Sequence, residues 1–260
     1  MITLDFWFLF PLGILIAILG MSSGISGSNF WIPVYIIWLK IDPKAGFWLA
    51  LLTMILGFGS GVIKNLHEKT VNWYLVRQYL KICIPASVFG ALLSAKAPAN
   101  VVLAAFGGFV TIYGAYRIHQ FFTPSVNTGN AHNTINWLVG GVAGFLIGLI
   151  ATGLGKLILP ALINHNKIKH HAEAVGTTVV IVFIVNFAAL VSRMDASLLQ
   201  TLLEEKDFIL SIILWVAPGV VIGGQLGPVV AQKLPKAYLG VYVGGLLVLV
   251  GGLIFYRVLS

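Results

Sequence analysis

Gly24-Ile25-Ser26-Gly27-Ser28-Asn29-Phe30-Trp31-Ile32-Pro33 is a cluster of small and polar residues, then a few apolar ones, then a proline. A stretch of the same kind recurs as Ala151-Thr152-Gly153-Leu154-Gly155-Lys156-Leu157-Ile158-Leu159-Pro160. Glycine lacks a Cβ and tolerates positive φ, while proline removes an amide donor and clashes with the preceding turn, so neither stretch runs as one smooth helix. Both lie in sequence apolar enough to sit in lipid. Inside a bilayer, non-helical backbone persists only where protein or a watery cavity satisfies its polar groups. Two such breaks at matching places in two halves predict a binding site between internal repeats.

Composition sets the wider frame. The 260 residues are 58% hydrophobic and 9% charged, with a mean hydropathy of +0.96, whereas a soluble domain is about 25% charged. Apolar stretches recur along the whole chain, which predicts an all-α polytopic protein of the cell membrane with about 8–10 membrane segments, two of them broken or re-entrant. The first apolar segment lacks a basic leader and a cleavage signal, so it is expected to be retained. The net charge of +8 places Lys and Arg in loops facing anionic headgroups of membrane lipid, and no run resembles a nucleic-acid-binding domain. The single cysteine, Cys83, excludes an internal disulfide and a cysteine metal cluster.

The expected order begins with an apolar segment at residues 6–20, the first break, and a short piece from Trp31 to Leu39. This region is either one discontinuous helix or a helix followed by a re-entrant piece. A span over Ala45–Val62 follows, then an interfacial piece over Lys64–Lys81 carrying Trp73 and Tyr74 beside basic groups. Ile82–Leu93 and Asn100–His119 are the next spans. The polar residues 123–135 read as a linker between a first repeat, 1–122, and a second, 136–260. The second repeat runs through Trp137–Ile150, the second break, a short piece to Ile163, a basic stretch to His171, a span over Ala172–Val191, a charged loop over Arg193–Asp207, and spans over Phe208–Val230 and Tyr238–Tyr256. Laid over one another, the halves match Pro33 to Pro160, Lys40 to Lys167, Pro85 to Pro218, Gly90 to Gly223 and Pro98 to Pro235. Small residues also recur in packed membrane helices generally, but matched prolines in matched order favour duplication. The distribution of basic residues does not decide whether the repeats are parallel or inverted.

The repeated break resembles that of the TauE/SafE sulfite exporter family, whose pattern is Gly-x-Gly-Gly-Gly, four apolar residues and Pro. Here it stands as Gly24-Ile25-Ser26-Gly27-Ser28 with Pro33, and the second copy keeps Gly153, Gly155 and Pro160. The family's Ala-x-x-Thr-Ser-like stretch is matched by Ala174-Val175-Gly176-Thr177-Thr178, and loosely by Ala50 to Thr53. Its late motif of small residues followed by Lys-Leu-Pro is present within Gly223 to Pro235. The resemblance covers nearly the whole chain and implies a small permease that moves sulfite, sulfonates or related sulfur-containing anions. Ser26, Ser28, Ala151 and Leu154 stand where the pattern has glycine, and Lys156 stands where an apolar residue is usual, which leaves the exact substrate open.

The residue chemistry leans the same way. None of the eight acidic residues falls deep within an expected span, unlike the acids of cation channels and carboxylate-based pumps. Unpaired amides and the dipole at the start of a short helix attract an anion. Candidate substrate-binding residues are therefore Gly24, Ser26, Gly27, Ser28, Asn29, Thr152, Gly153, Gly155, Lys156, Thr177 and Thr178. Each has a plainer alternative: helix packing for the glycines, a bond back to its own helix for Ser28 or Thr177, a cap for Asn29, and snorkelling to an interface for Lys156. Asn186, mid-span, either bridges helices or touches substrate. Glu173 beside His170 is a candidate for proton coupling. His165, His170 and His171 read as a basic interfacial loop rather than a metal site, since no fourth ligand is near. Nucleophile, phosphate-loop and metal-hydrolase motifs are missing, so neither a catalytic role nor a cofactor is expected. A secondary carrier for a small anion is the favoured class. A channel-like pore for a small anion or neutral solute is the alternative. The oligomeric state is open, a homo-oligomer included.

Overall fold

The computed structural model describes residues 4–23, 26–123, 135–152, 155–233 and 236–259. Gly24, Gly153 and nearly all of the expected linker lie outside them, and so does the side chain of Lys156. The described residues form helices α1 (Leu9–Ser23), α2 (Ser28–Pro33), α3 (Pro43–His67), α4 (Trp73–Lys96), α5 (Ala99–Phe122), α6 (Trp137–Ile150), α7 (Gly155–Ile163), α8 (His171–Ser192), α9 (Ala196–Glu204), α10 (Lys206–Lys233) and α11 (Lys236–Leu259). A π-helical turn, Val34–Trp38, extends α2. Six of these helices, α3, α4, α5, α8, α10 and α11, contain stretches long and apolar enough to cross a membrane, and α1 and α6 are shorter apolar helices. The result is an all-α polytopic membrane protein in which a short apolar helix, α1 or α6, precedes a shorter one, α2 or α7, and then a long one, α3 or α8.

Polar caps fix where the helices begin. Asp42 accepts from the amides of Lys44 and Ala45 ahead of Pro43. Asn72 and Asn136 accept from Leu75 and Val139 at the starts of α4 and α6. These side chains satisfy amides that a helix start leaves without partners.

Two segments differ from expectation. The interfacial piece and the Ile82–Leu93 span are largely one helix: α4 has 24 residues and continues through Pro85. At about 1.5 Å per residue that is about 36 Å, enough to cross a hydrocarbon core of about 30 Å. Arg77 and Lys81 made its first turns look aqueous, but long basic side chains near a helix end reach the interface. The expected loop over Arg193–Asp207 contains α9, capped by Asp195, which accepts from the Leu198 amide at 2.7 Å. Leu198 is buried, and α9 lies against α3.

The helices associate through backbone contact as well as side chains. α1 packs along α10, α4 along α6 and α5 along α11, while α3 and α8 contact each other, α3 also meeting α10 and α8 meeting α4. A Cβ added to Gly148 would fall on the backbone of Ser87 and Ala91, and one on Gly90 would meet the Phe145 carbonyl. Small residues at such contacts let the main chains approach closely, as packing in lipid favours. Exposed Leu15, Phe89, Ile112, Leu138 and Leu249 are apolar, as an outer surface solvated by acyl chains requires.

Candidate substrate site at the two helix breaks

The first break is tightly bonded. Ser26 and Ser28, both buried, share a hydrogen bond between their Oγ atoms at 2.6 Å, and Ser26 Oγ also lies 3.4 Å from Met54 Sδ on α3. The amides of Asn29, Phe30 and Trp31 donate back to the carbonyls of Ser26 and Gly27. These three donors are therefore engaged by the chain itself, where an open row of amides was expected at the break. Pro33 has no amide to offer the Asn29 carbonyl four residues earlier. The helix beyond it widens, with Leu39 donating to Val34 and Ile41 to Tyr35, a π-type adjustment of the kind frequent at functional sites.

The second break begins where α6 ends at Ala151, a buried left-handed residue with φ 53° and ψ 30°. An L-residue there carries roughly 1–2 kcal/mol of strain. Thr152 follows, buried, and its Oγ1 donates to Asn29 Oδ1 at 3.1 Å, with the Ile150 carbonyl at 3.3 Å. That bond joins the two breaks across 123 positions of sequence.

The remaining candidates divide. Gly155 opens α7, where an added Cβ would lie 3.5 Å from Thr178 Cγ2 and 3.7 Å from Val182 Cγ2 on α8. Thr178 itself donates back to the Ala174 carbonyl at 2.8 Å. Asn186 is spaced from Val182 as Val182 is from Thr178, which places it one turn further along the same helical face. It is fully buried, and neither polar atom has a partner among the described residues, so the expected bridge between helices is not seen among them. Thr177 and Glu173 instead meet at the start of α4. Thr177 Oγ1 accepts from the Asn72 amide at 2.9 Å, and Asn72 Nδ2 donates to Glu173 Oε1 and the Lys167 carbonyl, both at 3.0 Å. Glu173 Oε2 accepts from the Lys169 amide at 2.8 Å. The Lys167 ammonium sits 3.4 Å from the Tyr74 ring centroid. His165 is buried, its Nδ1 accepts from the Lys167 amide at 3.1 Å, and burial and then the Lys167 charge hold its pKa below the usual value.

Two features escaped the sequence. Arg193, expected in a solvated loop, is 5% exposed. Its Nε and Nη2 donate to the Gly148 carbonyl at 3.2 and 2.7 Å, and Nη2 also donates to Leu149 at 2.8 Å. It thereby satisfies carbonyls at the end of α6, immediately before the second break, where the helix dipole favours a cation. The Phe47 ring lies 5.3 Å from the guanidinium carbon. The other feature is a cleft against the first break, lined by Ile16, Met21, Gly27, Trp31, Met54 and Phe58 among others, and enclosing about 370 Å³ including its open mouth.

Every acidic residue lies at or near a helix end, and among the described side chains the buried polar groups at the breaks are the hydroxyls of Ser26, Ser28 and Thr152 and the amide of Asn29. A sequence model of the sulfite exporter TauE/SafE family matches residues 9–254. The chain belongs to that family. It is 26% identical over 234 residues to the probable membrane transporter protein YjnA of Bacillus subtilis (strain 168), covering 84% of this chain and 88% of that protein. It is 22% identical over 279 residues to the probable membrane transporter protein YunE of the same organism, covering 98% of each. No solved structure matches the chain at a significant level. As a TauE/SafE member with six long apolar helices, it is a multi-pass transport protein of the cell membrane.

Proposed function

We propose that this protein is a secondary carrier for a small sulfur-containing anion (sulfite, thiosulfate or an organosulfonate), that it binds the anion where the two breaks meet, and that it performs no chemistry on its cargo. The observation that carries this reading is the Thr152–Asn29 hydrogen bond, which joins the breaks into one buried polar patch. Broken helices meeting between repeats are a recurrent way to build a transport site. Family membership supports the sulfur-anion class. Internal duplication is part of the proposal. Under the matched prolines, α1 with α10 exchanges with α6 and α4, while α5 with α11 and α3 with α8 map onto themselves, and all of these pairs are in contact.

Purified protein in proteoliposomes tests the reading. Saturable uptake with counterflow of labelled sulfite or an alkylsulfonate is expected. A large electrical conductance without counterflow would replace the carrier with a channel. The Lys156→Ala variant, assayed alongside, decides whether that residue belongs to the site: a raised KM places it there, and an unchanged KM removes it.

A further inference from the structure

Neither short apolar helix is long enough to cross the membrane. α1 has 15 residues and α6 has 14, so at about 1.5 Å per residue each covers about 21–23 Å of a hydrocarbon core of about 30 Å. In each half the chain beyond the break returns to the face where the short helix began. Phe8, just before α1, stacks on Trp38 at the end of the turn that extends α2, with ring centroids 5.2 Å apart. α6 begins along α4 beside Tyr79, and the chain after α7 comes back to the start of α4, where the Lys167 carbonyl accepts from Asn72 Nδ2. The two turning points lie deep. Gly27 sits against Met54 near the middle of α3, and Gly155 sits against Thr178 and Val182 near the middle of α8.

α8 shows that the two hairpins enter from opposite faces. It follows α7 and begins beside the start of α4, where Thr177 accepts from the Asn72 amide. Its far end is followed by Asp195, which pairs at 3.8 Å with Lys44 at the start of α3, and α3 follows α2. The other helices agree. α3 and α8 are antiparallel, since Gly59 faces Phe183 while Gly176 faces Asn65 and Thr70. α5 and α11 are antiparallel too, with Gly107 against Ile254 and Gly114 against Gly244. Under the matched prolines these are the pairs that map onto themselves, and equivalent helices that run in opposite directions are what inverted repeats require.

With the faces known, the basic residues sort in a way the linear sequence hid. The face of the α6–α7 hairpin holds Lys64, Lys69, Arg77, Lys81, Lys167 and Lys169, and there α10 ends at Lys233 and α11 begins at Lys236. The face of the α1–α2 hairpin holds Lys40, Lys44, Lys96, Lys206 and Arg257, together with Arg193, which is buried against the α6 carbonyls. An excess of Lys and Arg in short loops marks the cytoplasmic side.

Resting on the duplication proposed above, we propose that the repeats are inverted and that the breaks are the tips of two re-entrant hairpins, α1–α2 entering from outside and α6–α7 from the cytoplasm. The start of α1 and the end of α11 then lie at the outer face. Each hairpin stands between its own side of the membrane and the polar patch that Thr152 and Asn29 join, the arrangement that alternating access uses.

The test needs no cargo, so its failure is separate from failure of the carrier reading, which uptake assays decide. Single cysteines replace four exposed residues in the full chain: Lys40→Cys and Glu205→Cys at the outer face, Lys69→Cys and Lys167→Cys at the cytoplasmic one. Cys83 is fully buried, so the parent chain serves as the blank. Spheroplasts expressing each variant are treated with a membrane-impermeant maleimide. Lys40→Cys and Glu205→Cys should be labelled, and the other two should stay protected until the membrane is permeabilised. Lys40 and Lys167 are matched positions of the two halves, so labelling both from one side overturns the inversion and the proposal with it. The reverse pattern, with Lys69→Cys and Lys167→Cys labelled from outside, overturns the assignment of faces and therefore the proposal. If Lys167→Cys, deprived of its contact with Tyr74, fails to reach the membrane, exposed Lys169→Cys takes its place and the same outcomes decide.

Discussion

Thr152 Oγ1 donates to Asn29 Oδ1 at 3.1 Å, and both side chains are about 1% exposed. Each break therefore supplies one partner of a bond that water does not reach. Thr152→Val keeps the shape, removes the donor, and strands the Asn29 oxygen. Stability should fall by about 1–3 kcal/mol, and uptake should fall with it. In a double-mutant cycle with Asn29→Leu, the two losses should be non-additive by at least about 0.5 kcal/mol. Additive losses in thermal unfolding of the detergent-purified protein would show that the breaks are not energetically joined.

Arg193 joins the end of α8 to the end of α6. Replacing it with Met deprives the Gly148 and Leu149 carbonyls of their charged donor close to the second break. The expected loss is about 2–4 kcal/mol, from carbonyls left without partners and from lost contact with Phe47. Arg193→Lys should recover only part of it, because an ammonium lacks the planar fork. Full recovery by Lys would mean that charge alone matters there.

Gly148 and Gly90 set the spacing of α4 and α6. An alanine at Gly148 places its Cβ on the Ser87 carbonyl, where backbone rather than a flexible side chain blocks it. Overpacking of this kind costs about 1–3 kcal/mol or more, so Gly148→Ala should yield little folded protein by size-exclusion chromatography. Gly27→Ala should purify normally, since its Cβ has room.

The breaks themselves were legible because glycine and proline act on the backbone locally, whatever surrounds them. Trp137–Ile150 and the short helix ending at Ile163 were also legible, being apolar runs between clear stops. Partner choice was not legible. The sequence places Thr177 and Thr178 side by side, yet one bonds to Asn72 and the other to its own helix. Arg193 was hidden because a charged residue in a loop ordinarily faces water, and its carbonyl partners lie 45 and 44 positions away. In the sequence Trp31 only opens the short apolar piece that runs to Leu39. The packed structure shows that its N–H is buried without an acceptor among the described residues.

Glu173 has both carboxylate oxygens engaged, one by Asn72 and one by the Lys169 amide. This gives it a structural task at the junction of α4 and α8, apart from the breaks. Glu173→Gln presents an NH₂ group to one of those donors and should lower stability by about 1–2 kcal/mol. Transport by the variant should still respond fully to a pH gradient. Loss of that response with the fold intact would give Glu173 the proton-coupling role instead.

His165 makes stability depend on pH. Its Nδ1 accepts from the Lys167 amide, which requires that nitrogen to be unprotonated, and burial and then the Lys167 charge oppose the cation. The folded pKa thus lies below the unfolded value of about 6.5. Above that value both states are neutral and the contribution is complete. As pH falls below it, the unfolded chain takes up the proton first, so stability declines until the folded pKa is passed and then levels off. His165→Asn keeps an acceptor for the Lys167 amide without a titrating group. Melting temperatures measured from pH 7.5 down to about pH 5 should fall less steeply in this variant than in the parent. An unchanged slope would show that His165 takes up its proton without disturbing the loop.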